Sequence, residues 1–245
     1  MVCVRVCRAC AYGPGMKQLA LELASPPAPT LDNFVVGENA EVLAAVRVLA
    51  RGGAGERFVY LWGGNGSGRT HLLRAVLREW RDIGWTANLY TRDALPAAAA
   101  ISATDAIAVD DVQQLPPPAQ IELFNIYNAL RESSGLLLVA GDVPPARLAL
   151  RPDLLTRLAW GLVYEVRALS EDDRRAALRD YAVARGFELP REVTDYLLAH
   201  APRDLSSLRA LVDTLDRRSL EQKRAITVPL ARELLQVMLQ KLKSR

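Results

Sequence analysis

Residues Phe58–Leu73 read FVYLWGGNGSGRTHLL, and the rest of the chain is organised around this stretch. Phe58–Trp62 is an apolar run of strand length. The loop after it, Gly63–Thr70, is GGNGSGRT. It fits the phosphate-loop pattern G-x-x-x-x-G-K-[ST] at every fixed position but one, since Arg69 stands where lysine is usual. Gly63, Gly64, Gly66 and Gly68, interleaved with Asn65 and Ser67, let successive backbone N–H groups curl inward toward phosphate oxygens. A helix beginning near Thr70 adds its positive end, and the Thr70 hydroxyl is a ligand for Mg²⁺. Arg69 keeps the charge as a planar fork rather than a compact point. Nucleotide binding is therefore expected to survive the exchange, and hydrolysis geometry to suffer.

Outward from the loop, strands and helices alternate. Ala40–Arg51 carries apolar residues at helical spacing and stops at Gly52-Gly53. Thr70–Ile83 repeats that pattern, Thr86–Tyr90 reads as a second strand, and Ala94–Thr104 as a short alanine-rich helix. Ala106–Asp111, AIAVDD, is an apolar strand ending in two carboxylates about forty residues after the loop. Asp110 fits a Mg²⁺-shell ligand and Asp111 a group that orients water. A helix over about Ala119–Ser133 and a strand Leu136–Ala140 follow. Asp142 then lies either beside a γ-phosphate or in a simple turn before Pro144-Pro145. Pro152–Trp160 is a helix whose leucines form one face and leave Arg157 on another; Val163–Val166 is the fifth strand. From Ser170, where Ser170 and Asp173 resemble a capping box, only helical patterns remain, through Lys243. The fold class is α/β, a five-stranded parallel sheet followed by an all-helical second domain.

Composition is that of a water-compatible globular chain: 245 residues, half of them apolar, 24% charged, net charge +3. No apolar run is long enough to span a membrane. The three cysteines, Cys3, Cys7 and Cys10, all precede the folded body, which excludes a disulfide framework there. Their C-x3-C-x2-C spacing resembles a cluster-binding triplet, but nothing downstream supports it. Residues 1–15 read as an unstructured extension, with Met16 a plausible start. Residues 16–29 hold MKQLALEL and a stiff proline-rich linker. The alternating leucines suit either a docking peptide for a partner's groove or an edge strand on the domain itself. The nucleotide-binding core is expected over residues 30–168 and the helical domain over 169–245.

Taken in order, these segments resemble the AAA+ family, and within it the DnaA replication initiators. TLDNFVVGEN (Thr30–Asn39), containing Val36 and Gly37, looks like the segment preceding the initiator's nucleotide pocket. GSGRTHLL, containing His71, looks like its Walker A, VDDVQ its Walker B, and AGDVPP its sensor I, which favours the phosphate reading of Asp142. RLAWG, at Arg157–Gly161, looks like the arginine-finger box, and PRDLSSL looks like sensor II, with Arg203 reaching the nucleotide. The chain stops at Arg245, where the initiator continues into a DNA-reading domain. Gln18, Leu19, Leu21 and Leu23 resemble anchors of a sliding-clamp-binding peptide. That combination is similar to the Hda subfamily of DnaA inactivators. The resemblance implies bound ADP (or ATP) with Mg²⁺ held by Thr70 and Asp110. It also implies DnaA and the DNA polymerase III sliding clamp as partners, contact with DNA only through the clamp, no membrane, and a cytoplasmic, nucleoid-associated protein; a homodimer stays open. Arg157 would act in trans on DnaA-bound ATP, the plainer alternative being a surface ion pair. A DnaA-like adaptor or loader with its own ATP cycle is the competing reading.

Overall fold

The computed structural model describes residues 28–52, 55–91, 95–102 and 105–243, with side chains described as far as residue 236. Gln18, Leu19, Leu21 and Leu23, with the rest of the tail, lie outside the described residues.

Five strands, β1 (Phe58–Trp62), β2 (Thr86–Tyr90), β3 (Asp105–Val109), β4 (Leu136–Gly141) and β5 (Leu162–Glu165), form one sheet in the order β2-β3-β4-β1-β5. Every pairing is parallel, because a crossover separates each strand from the next. Helices α1 (Ala40–Ala50) and α2 (Arg69–Asp82) cover one face; α3 (Pro117–Glu132) and α4 (Pro152–Trp160) cover the other. The alternation along β1 sorts the two cores. Val59 and Leu61 pack with α1 and α2, while Phe58 and Tyr60 pack with α3 and α4. All six residues of β4 are buried, as expected of a strand covered on both faces.

Helices α5 (Glu171–Ala184), α6 (Arg191–His200), α7 (Leu205–Gln222) and α8 (Val228–Lys243) enclose a third core around Leu178, Val193, Leu208, Leu211 and Leu234. The α5 cap differs in detail from a reciprocal capping box. Ser170 Oγ accepts the Asp173 N–H at 3.1 Å, and its own hydroxyl donates to the Asp173 carboxylate at 2.6 Å.

The expected helix over Ala94–Thr104 does not form among its described residues, which hold only a 3-10 turn, Ala98–Ala100. Pro96 lacks the N–H that a helix needs. The Ala98 N–H donates sideways to Glu122 of α3 at 3.3 Å instead of to a helical carbonyl. Strand β3 also ends earlier than the sequence pattern suggests, at Val109. The Asp110 N–H still donates to the Tyr90 carbonyl at 2.9 Å. Asp111 then turns into the left-handed region, φ 50°.

Candidate functional site

The C-terminal ends of β1, β3 and β4 lie side by side, and each leads into a segment picked out by motif: the Gly63 loop, Asp110-Asp111, and Asp142. Open parallel sheets bind ligands at this edge. A cavity of about 490 Å³ opens there between the glycine-rich loop, the Asn33–Val35 segment and the start of α7.

The loop is shaped by close approaches. Gly68 has φ +104°, and a Cβ there would stand 2.8 Å from the Phe34 ring. Gly66 has φ +78° and lies against the Asp204 backbone at the start of α7. Gly63 and Gly64 complete the turn: the Gly63 N–H donates to the Gly141 carbonyl at 3.3 Å, and the Ser67 N–H to the Gly64 carbonyl at 3.2 Å. Asn65 is exposed.

Helix α2 begins at Arg69, whose side chain is only 7% exposed. Among the described residues, its Nη1 and the Ser67 Oγ are buried without a hydrogen-bond partner. Buried polar atoms are rarely left so, and a guanidinium donor beside a curled, N-terminal backbone suits a phosphate. Thr70 Oγ1 donates to Asp110 Oδ2 at 2.6 Å. This hydroxyl–carboxylate pair supplies the hard oxygen donors that Mg²⁺ takes from a protein when phosphates complete its shell. The residues therefore fit a magnesium nucleotide. Asp110 is 5% exposed and its Oδ1 accepts the Asp111 N–H at 3.0 Å. The Asp111 carboxylate is itself engaged by the Gln113 side-chain amide at 3.1 Å.

His71, also in the cavity wall, donates from Nε2 to the Thr30 carbonyl at 2.9 Å. Burial lowers its pKa, with the Thr30 bond opposing and the Arg209 charge assisting. Val36 and Gly37 do not line the cavity. The Val36 carbonyl accepts the Asn39 N–H at 2.8 Å, and Gly37 lies against Leu169. Their neighbours Asn33, Phe34 and Val35 form that wall.

Asp142 is exposed at the end of β4. Beside it Tyr60, 2% exposed, donates from its hydroxyl to the Val143 carbonyl at 2.8 Å. Burial raises the Tyr60 pKa, with the Asp142 charge adding and Arg69 opposing, so the phenol stays protonated. A side chain at position 141 would collide with it: a Cβ on Gly141 would stand 2.0 Å from the Tyr60 oxygen.

Of the other predicted residues, Gly63, Gly64, Asn65, Asp110, Asp111, Asp142, Arg203 and Arg157 do not line the cavity either. Arg203 is exposed just before α7. The lid instead contributes Asp204, Leu205, Ser206 and Arg209. Asp204 caps α7 by accepting the Ser207 N–H at 2.7 Å. Arg157 lies on α4, on the opposite face of the sheet from α2. Its guanidinium carbon stands 4.2 Å from the Trp160 ring centroid, 5.5 Å from that of Phe124 and 5.9 Å from that of Tyr127. Among the described residues it stacks on aromatic rings rather than pairing with a carboxylate. Motif reading missed Arg209 and Tyr60. The only sequence signal for Arg209 was a cation beside Leu205, Leu208 and Val212 on an otherwise apolar helix edge.

Two family models match separate parts of the chain. The model of the Hda lid domain matches residues 171–235, and that of the bacterial DnaA ATPase domain matches residues 85–165. Domain III of the Thermotoga maritima replication initiation protein DnaA superposes with a TM-score of 0.71 at 23% identity, over 85% of this chain and 95% of that one. A DNA replication initiation factor is 26% identical, with a TM-score of 0.64 over 80% of this chain and 67% of that one. AMPPCP-bound DnaA from Aquifex aeolicus is 26% identical, with a TM-score of 0.65 over 78% of this chain and 65% of that one. The sheet order, the helical lid and the two family matches together support an Hda-like, DnaA-related AAA+ protein.

Proposed function

We propose that the protein is a negative regulator of replication initiation that stimulates hydrolysis of DnaA-bound ATP. In this reading the cavity beside Arg69 and Thr70 holds ADP, or ATP, with Mg²⁺, and the Gln18–Leu23 tail docks on the DNA-loaded sliding clamp. Bound Mg²⁺ would neutralise phosphate charge. The Arg69 guanidinium would donate to phosphate oxygens, Thr70 and Asp110 would hold the metal, and Asp142 would face the terminal phosphate. Arg69 spreads its charge over a planar fork where a lysine would concentrate it, so the site is assigned to binding more than to turnover. Arg157 is offered to the partner's γ-phosphate, where a guanidinium offsets charge developing in phosphoryl transfer; such fingers are worth about 10³–10⁵ in rate.

The observation that carries the reading is Arg157 itself. It stands apart from the chain's own cavity, and its stacking on Trp160 leaves its hydrogen-bond donors without a carboxylate partner among the described residues. The family matches to an Hda lid and a DnaA ATPase domain support the partner assignment. The test is hydrolysis of DnaA-bound ATP with and without DNA-loaded clamp. Clamp-dependent stimulation by the wild type and its loss in Arg157→Ala are expected; full stimulation by Arg157→Ala would sink the assignment. The intact Thr70–Asp110 pair favours a second reading, an adaptor or loader with its own ATP cycle. Appreciable turnover by the purified chain alone would select it.

A further inference from the structure

One edge of the sheet ends in a strand with a single partner. Among the described residues β5 pairs with β1 alone. Just past its end, the Val166 N–H donates back to the Trp62 carbonyl at 2.6 Å. Backbone groups point alternately to either side of a parallel strand, so Val163 and Glu165 turn their N–H and C=O groups outward. The surface around them is apolar: Trp160 is 55% exposed, Leu162 39% and Val163 38%. An edge of this kind is a template for one more strand, held by main-chain pairing.

The chain's own tail fits that edge. Gln18–Leu23 reads QLALEL. In an extended strand Leu19, Leu21 and Leu23 share one face, and Gln18, Ala20 and Glu22 share the other. The tether ends close by. Ala28 lines the cavity with Leu169, just beyond β5, and Asn39 exchanges two hydrogen bonds with the Arg167 backbone, at 2.9 and 2.7 Å. The extended chain between Leu23 and Ala28 reaches roughly 17 Å. A strand that leads into this root runs parallel to β5, as every pairing in the sheet does. Its crossover through α1 to β1 travels across the sheet in the same direction as β1–α2–β2, with its helix on the same face. Both crossovers therefore share one hand. We propose that Gln18–Leu23 adds to β5 as a sixth parallel strand. The tail then cannot lie on β5 and in a partner's groove at once, so a sliding clamp that takes the tail also uncovers the edge beside Trp160. The pairing goes beyond the proposed function; its release by the clamp rests on that reading.

The test is residue-resolved amide exchange of the full chain. The Val163 and Glu165 amides are expected to be protected in the wild type. With Leu19→Asp and Leu21→Asp together they are expected to exchange at least about tenfold faster, as amides released from a local pairing do. Tyr164, which faces β1 by the same alternation, is the control; its unchanged protection shows that the variant is folded. Unprotected Val163 and Glu165 in the wild type overturn the pairing. So does equal protection in the variant. Protection that rises with protein concentration gives the edge to a second copy and overturns pairing within one chain. Saturating sliding clamp is expected to speed both amides as the substitutions do; protection that persists on the clamp-bound chain overturns the competition. Failure of the wild type to bind clamp overturns the clamp reading of the tail, and the wild-type protection still decides the pairing.

Discussion

Asp213→Ala is the sharpest perturbation of the helical domain. The Asp213 side chain is 10% exposed and that of Arg185 20%. The Tyr181 hydroxyl reaches both Asp213 oxygens at 2.9 Å, and Arg185 Nη2 donates to one of them at 2.5 Å. Burial, followed by the hydrogen bond to Asp213, raises the Tyr181 pKa, so the phenol remains a donor at neutral pH. Removing the carboxylate strands a mostly buried guanidinium and a buried hydroxyl together. Breaking one side of such a pair costs about 3–5 kcal/mol, a large part of the 5–15 kcal/mol typical of a whole domain. For a domain of this size that lowers the melting temperature by more than about 10 °C. Asp213→Asn keeps an acceptor and is expected to lose only about 1–2 kcal/mol. Urea unfolding followed by circular dichroism, with amide exchange resolved over α5 and α7, measures both. A loss below about 1 kcal/mol in Asp213→Ala would refute the view that this carboxylate holds α5 to α7.

Other outcomes follow from the site geometry. Tyr60→Phe removes one buried hydrogen bond, worth about 1 kcal/mol, and releases the segment that carries Asp142. Direct binding measurements should show the triphosphate weakened more than the diphosphate; equal losses would detach Tyr60 from Asp142. Trp160→Ala removes the face on which Arg157 rests, a contact worth roughly 0.5–2 kcal/mol. Stimulation of DnaA-bound ATP hydrolysis is expected to fall several-fold, with Trp160→Phe retaining most of it. Burial pushes the Asp204 carboxyl up, but the Ser206 hydroxyl and the Ser207 N–H outweigh it and hold its pKa below the usual value. A depressed carboxylate contributes stability that is complete above the unfolded pKa and lost as pH falls through the folded one. Acid titration of α7 exchange should therefore flatten below about pH 4 in Asp204→Asn.

Much of this fold was legible because strand period, loop and helix period succeed one another without interruption from Phe58 to Leu77. The Thr70–Asp110 pair was legible as two motifs, although their contact exists only because β1 and β3 flank β4. Three readings needed coordinates. An alanine run carries helical propensity, yet with Pro96 before it and Glu122 engaging the Ala98 N–H, the described residues there form only the 3-10 turn Ala98–Ala100. Periodicity assigns Arg209 to a helix edge but cannot say what that edge meets. Arg157 was expected on a helix face away from the leucines; its guanidinium instead lies by Phe124 and Tyr127, from a helix some thirty residues earlier that shares a core with Leu154 and Leu158.

A Cβ on Gly66 would stand 3.4 Å from the Asp204 Cα, so the loop that would cradle phosphates lies close under the start of α7. If a nucleotide is held there, its release would be coupled to separation of the two bodies, and the waiting time for that separation would belong to the protein. Exchange would then run on a clock set by the seam between sheet and lid. Mutations along that seam, far from any phosphate, would change how long the protein remembers its last nucleotide without changing which nucleotide it prefers.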